Sequence, residues 1–264
     1  MNDATPDDGD LGSMLERLDV ALAGRLAARL PTLESHPPED LPDRLNGGDG
    51  LDPTRWITGL LGLRGVPVNA DDVALLLSGR PSRLLRGQQE HALVVGASRL
   101  VVEMRGRARS ARPPDGWWLV ECFRTLTREI PRFRNNEIRR DVPWDAILYV
   151  PYPGPSDVRG LLDTFDIGHR YRDQPVLFDR LHPVRRALRI LWRIARIAPF
   201  PDFNLPMAVV AMNAALMVDG YPAWTPQPGD RELLTRLVAG PPPQRVVRIE
   251  RALLELALAT APIG

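Results

Sequence analysis

The chain has 264 residues, of which 44% are hydrophobic and 25% are charged, and its formal net charge is +1. These values are typical of a globular protein that buries a core of its own and needs neither disulfide bonds nor a structural metal. The near-neutral balance gives no argument for binding nucleic acid or an acidic membrane through bulk charge, so we expect neither partner. The single cysteine, Cys122, excludes an internal disulfide and a thiolate zinc cluster.

The first part of the chain is predicted to precede the main domain. Residues 1–10 are polar and acidic, lack the pattern of a signal peptide, and are expected to form a disordered tail. Apolar residues recur every three or four positions over 11–30, which predicts an amphipathic helix. The prolines and glycines of 36–52 predict a surface loop. The longest apolar run, 207–218, is too short to cross a bilayer, and we expect a cytoplasmic protein.

Most of the remaining chain is predicted to be helical, so the expected fold class is mainly α. Asn69 followed by Asp71 and Asp72 is typical of a helix start, and Asp115 is a similar cap. The segment 146–150 is short, β-branched and aromatic, and it predicts a small β-hairpin near 140–150. Further helices are predicted over 88–109, 116–129, 156–165, 182–197, 207–219, 230–238 and 244–260.

Two helices joined by a tight loop carry the most specific pattern in the sequence. The loop reads I-A-P-F-P-D-F-N at 197–204, and the second helix ends in D-G-Y-P at 219–222. Upstream, P-R-F-R at 131–134 and L-R-G-V-P-V-N at 63–69 stand in order before it. Together these segments resemble the Fic/Doc (Fido) family, whose signature is H-P-F-x-D/E-G-N-G-R-x-x-R. The upstream segments resemble its G-x-Y-R step and its inhibitory I-E-G-x-x-V/L-T segment.

The resemblance implies a Fic-like helical bundle with a β-hairpin flap and with helical additions at both ends. The predicted divisions are an N-terminal helix and loop over 11–54, the Fic-like domain over 55–225, and a C-terminal helical extension over 226–264. The flap is assigned to Ile147, Leu148 and Tyr149.

In active members of the family, the resemblance implies, the motif histidine takes a proton from a target hydroxyl that attacks a phosphate of ATP. The motif acid holds a magnesium ion on the phosphates. The glycines let backbone N–H groups form an anion nest at a helix N-terminus. The arginines neutralise the outer phosphates.

This sequence departs from the motif at the positions that carry the chemistry. Ala198 stands where the histidine is expected. Alanine cannot accept a proton, so the rate contribution of a general base, about 10²–10⁴-fold, is absent. Phe203 and Leu205 replace the glycines and disfavour positive φ angles by about 1–2 kcal/mol each. Pro206 and Val209 replace the arginines, and the proline also removes an N–H donor. The motif residues that remain are Pro199, Phe200, Asp202 and Asn204.

The candidate pocket therefore contains no predicted catalytic residue. Asp202 is a possible magnesium ligand, but Asp202 and Asn204 are read more readily as loop and helix caps. Arg64 stands at the position of the inhibitory glutamate, which a protein with nothing to inhibit would tolerate. If chemistry persists, His169 is the first choice. The pocket is predicted to consist of Phe200, Asp202, Phe203, Asn204, Pro206, Val209, His169 and Arg134.

Two functions fit this sequence. The first is a non-catalytic Fic-like module that binds a protein partner or has a regulatory role and needs no cofactor. Its flap edge would provide main-chain hydrogen bonds, with Trp144, Tyr149 and Tyr152 as apolar anchors. The second is a diverged transferase or lyase with a repurposed pocket for a nucleotide or another phosphate-containing substrate, such as ATP with magnesium.

Overall fold

A computed structural model describes residues 51–84, 88–164, 183–227 and 229–240. The helices predicted over 11–30 and 244–260, and the candidate His169, lie outside the described residues. The described helices are α1 Pro53–Gly62, α2 Ala70–Leu77, α3 Gln89–Arg109, α4 Gly116–Thr127, α5 Pro155–Asp163, α6 Pro183–Ile197, α7 Asn204–Val218 and α8 Asp230–Ala239, with a 3₁₀ turn at Pro131–Phe133 between α4 and α5.

Local caps start several of these helices. The Asn69 side chain accepts a hydrogen bond from Asp72 N at 2.8 Å, and Asp115 accepts one from Trp118 N at 2.7 Å. Asp52 caps α1 in the same way, with Pro53 at its first position. The sequence reading did not assign α1 to a helix, although an acid followed by proline is a readable start signal.

Helix α7 forms the centre of the molecule. Every residue from Asn204 to Met217 is buried, because apolar side chains cover all sides of this helix. It packs most extensively against α6 and then against α3. On its far side α3 meets α4 closely at Gly96, where a Cβ atom would lie 2.3 Å from Leu126 O. The mainly helical fold class is confirmed.

The predicted β-hairpin is wrong. The described residues contain no strand, and the segment 139–150, which we call the covering loop, consists of turns and irregular backbone. Two of its N–H groups bind the loop at 199–201 and not a neighbouring strand. Arg139 N donates to Pro199 O at 2.9 Å and Trp144 N donates to Pro201 O at 2.8 Å. Tyr149 has φ 64°, which breaks an extended conformation.

The start of α7 also differs from the prediction. The helix begins at Asn204 rather than at 207, so Pro206 occupies its third position. This position tolerates proline because the first N–H groups of a helix have no intrahelical acceptor. None of the described helices is long and apolar enough to cross a membrane.

Candidate functional site

The residues between α6 and α7, 198–203, form what we call the motif loop. Ala198 and Phe203 both have left-handed backbone angles, with φ 44° and φ 60°. The loop thus keeps a bend that normally favours glycine, at a cost of about 1–2 kcal/mol for a residue with a Cβ atom. Leu205 lies within α7, so glycine is not required at that position.

Aromatic packing holds the motif loop in this conformation. Phe200 and Phe203 are almost fully buried. The Phe200 ring stacks on Phe123 with centroids 4.5 Å apart, and the Phe203 ring meets Phe133 edge-on at 6.0 Å. The Phe203 side chain therefore fills space next to the loop and offsets the strain of its backbone.

Asp202 is bound by arginines from two other segments. Arg64, in the turn after α1, pairs through Nε with Oδ1, and its Nη2 lies 3.3 Å from Oδ2. Arg132 Nη2 lies 3.6 Å from the same Oδ2. Oδ1 also accepts a hydrogen bond from Phe203 N at 2.8 Å. The hydrogen bond to Asp202 raises the pKa of Arg64 above its ordinary value.

A second carboxylate covers the N-terminus of α7. Asp145, from the covering loop, accepts hydrogen bonds from Asn204 N at 2.6 Å and from Asn204 Nδ2 at 2.7 Å. Asn204 in turn bridges both backbone groups of Phe200, at 2.9 Å each. The Asp145 carboxyl group therefore occupies the position at the start of α7 where the helix dipole favours an anion. Burial raises the pKa of Asp145 above its ordinary value.

Arg139 joins the covering loop to the end of α6. Its buried guanidinium donates to Ala198 O at 2.6 Å, Pro153 O at 2.7 Å, Asp141 O at 3.0 Å and Ile197 O at 3.3 Å. A cation at the C-terminus of a helix is favourable, although burial lowers the pKa of Arg139. The sequence reading missed both Arg139 and Asp145, because no local pattern shows contacts of this sequence separation.

The other predicted pocket residues are distributed differently. Pro206 and Val209 are buried in α7. Arg134 is exposed, and the arginine of this segment that reaches Asp202 is Arg132. In the predicted flap, Ile147 is half-buried and its N–H donates to Tyr152 Oη at 2.9 Å, whereas Leu148 and Tyr149 are 79% and 97% exposed.

The residues present do not fit a magnesium nucleotide. The oxygens of Asp202, the expected metal ligand, already accept from Arg64 and from a backbone N–H. The start of α7, where phosphate oxygens would bind, is covered by Asp145.

Comparisons with known proteins identify the fold. A search against family models gives no match. A curated relative, the protein adenylyltransferase Fic of Culex quinquefasciatus, is 32% identical over 104 residues, which is 39% of this chain and 20% of that protein. A Fic domain-containing signaling protein from Bacteroides thetaiotaomicron superposes with a TM-score of 0.63 at 16% identity, over 94% of this chain and 90% of that chain. The chain has the Fic fold.

Two further structures agree with this result. Fic-1 from C. elegans gives a TM-score of 0.63 at 16% identity, over 96% of this chain and 71% of that one. A Fic family protein from Desulfovibrio desulfuricans G20 gives 0.56 at 15% identity, over 98% and 73%. The resemblance to Fic proteins is therefore confirmed, while the chain spans only a fifth of the length of the curated relative.

Proposed function

We propose that this chain is a non-catalytic Fic-fold module that binds another protein through its covering loop. The observation that carries the proposal is the pairing of Asp202 with Arg64, because it commits the expected metal ligand to an internal cation. A divalent ion would have to displace a guanidinium from a carboxylate whose side chain is 2% exposed.

Two further features support the loss of catalysis. Ala198 has no group that accepts a proton, and its side chain is buried. The Asp145 carboxyl group accepts from Asn204 N at the start of α7, and so occupies an N–H donor that a phosphate oxygen of a nucleotide would use. The proposed loss of catalysis is thus supported at three different residues: Ala198 for proton transfer, Asp202 for metal binding and Asp145 for anion binding.

The binding half of the proposal rests on the covering loop. Among the described residues, Val142, Trp144, Leu148 and Tyr149 are exposed large hydrophobic side chains, with exposures from 53% to 97%. Outside this loop, Trp117 on α4 is the one other such side chain in the part of the chain that the structure describes. Apolar side chains concentrated in one short loop mark an interaction site more often than single exposed residues do.

A calorimetric titration of the full chain with ATP and magnesium tests the loss of catalysis. We expect binding no tighter than about millimolar, or roughly −4 kcal/mol. Asp202→Ala is the test variant, and Asp141→Ala, which changes an exposed carboxylate of the covering loop, is its matched control. Micromolar binding that Asp202→Ala abolishes and Asp141→Ala preserves would contradict the proposal.

That outcome would favour the second candidate, a diverged transferase or lyase acting on a nucleotide or another phosphate-containing substrate. The observation in its favour is the left-handed backbone of Phe203, which keeps the bend of a nucleotide-binding loop although the residue is not glycine. Strained backbone of this kind is often retained at functional sites.

A further inference from the structure

A groove of about 280 Å³ lies beside Trp144, between the covering loop and the residues that follow the 3₁₀ turn. Asn135 and Asn136 form one part of its lining and Val142 forms another. The amides of Asn135 and Asn136 are able to donate to and accept from a peptide backbone, and Trp144 and Val142 provide apolar surface. The groove thus combines the two kinds of contact that an extended peptide segment requires.

The charge of the groove is predominantly positive. Arg139 and Arg140 line it, and the guanidinium of Arg132 stacks on the Trp144 ring, 5.3 Å from its centroid. Asp141 is the acidic residue of the lining. Arg132 is 45% exposed at its side chain and is only loosely paired with Asp202, which leaves donors for a ligand.

The buried Arg139 also contributes to the positive charge of the groove. In the described part of the chain its hydrogen bonds go to four carbonyl oxygens and not to a carboxylate. Carbonyl dipoles satisfy the N–H donors but leave the unit charge in place. The groove therefore has an internal cation beneath it as well as exposed arginines at its edge.

We propose that the partner presents an extended acidic segment, with an apolar side chain beside its carboxylates, and that this segment occupies the groove next to Trp144. Acidic side chains complement Arg132 and Arg140, while the apolar side chain packs on Trp144 and Val142. Charge complementarity selects the partner and speeds its association, and the aromatic anchor supplies much of the affinity. This inference rests on the proposed binding function and adds the chemistry of the partner.

Selection from displayed peptides tests the proposal on the full chain. Three random libraries share the same apolar content and differ in charge: one is acidic, one is basic and one is uncharged. We expect binders from the acidic library alone, with affinity that falls as the salt concentration rises. Arg140→Glu should weaken these binders about tenfold, since it places like charges opposite each other.

Apolar contacts are tested with two variants because Trp144 also packs on Phe133. Val142→Asp alters a side chain that is 69% exposed and should leave folding intact while weakening the acidic peptides about tenfold. Trp144→Ala should also weaken the binding of the acidic peptides about tenfold. Arg80→Glu and Trp117→Ala change exposed residues outside the groove and serve as controls.

The outcomes separate the two proposals. Uncharged or basic binders that Val142→Asp abolishes would overturn the acidic partner and leave the binding function standing. Failure of every library to give binders sensitive to Val142→Asp or Trp144→Ala would overturn both. If the free chain dimerises with increasing concentration and Val142→Asp prevents it, the occupant is a second copy and the acidic partner is wrong.

Discussion

The motif loop and the covering loop are hydrogen-bonded to each other but use their side chains in opposite ways. In the motif loop, Phe200, Asp202 and Phe203 are buried and each has a partner within the chain. In the covering loop, large apolar side chains point to solvent, up to the 97% exposure of Tyr149. In this chain the motif loop is therefore part of the core, whereas the covering loop exposes an apolar surface.

The largest expected difference between the two loops concerns their apolar side chains. Phe200→Ala removes a buried ring stacked on Phe123 and should lower the free energy of unfolding by about 3–5 kcal/mol. Leu148→Ala, in the covering loop, removes a side chain that is 79% exposed and should change it by less than about 0.5 kcal/mol. Chemical denaturation of both variants measures the contrast. Equal effects would show that the covering loop also packs into the core.

The same contrast shows how much the sequence could predict. Caps such as Asn69 and Asp115 act within three residues, so the sequence predicted the helix starts they produce. The hairpin prediction failed because Trp144 N donates to Pro201 O, far away in the chain, rather than to a neighbouring strand. The residues at 146–150 have high β propensity, and no local sequence pattern there indicated that the segment would not form a strand.

The family resemblance located the motif loop in the sequence, but it did not predict which residues its side chains contact. Sequence placed Asp202 in the loop and Arg64 upstream, and it gave no reason to pair them. The contact between them joins residues 138 positions apart. Asp145 was not singled out at all, since its role at the start of α7 depends on a contact 59 positions away. Long-range ion pairs are fixed by the fold and leave no periodic pattern in the sequence.

The next largest effect is expected for the coupling energy of the Arg64–Asp202 ion pair, compared with that of an exposed ion pair. A double-mutant cycle with Arg64→Ala and Asp202→Asn should give a coupling energy of about 1–2 kcal/mol, because Asp202 is nearly inaccessible to water. The exposed pair Arg159 and Asp163 on α5, 3.8 Å apart, is the control and should give at most about 0.5 kcal/mol. Thermal and denaturant unfolding measure both cycles. A coupling in the first pair no larger than in the control would mean that Arg64 does not hold Asp202.

The smallest effect concerns Asp145, which belongs to the covering loop but is half-buried against the start of α7. Burial is the largest cause of its raised pKa; the charge of Asp202 acts in the same direction, and the hydrogen bonds from Asn204 and the charge of Arg64 oppose it. A carboxyl group whose pKa is raised on folding binds its proton more tightly in the folded state. Its contribution to stability is therefore present below the ordinary pKa of 3.8 and is lost as the pH rises through the folded value.

Unfolding free energies of the wild type and Asp145→Asn, measured at a series of pH values upward from 3.8, isolate this contribution. The stability of the wild type relative to Asp145→Asn should fall as the pH rises, because only the wild type has to ionise a half-buried carboxyl group there. Val142→Ala changes the same loop without a titratable group, so its difference from the wild type should not vary with pH. If the relative stability of the wild type instead rises with pH, the hydrogen bonds from Asn204 and the dipole of α7 outweigh burial. Asp145 would then be a stabilising anion at the helix start, and the two loops would be held together more strongly at neutral pH than in acid.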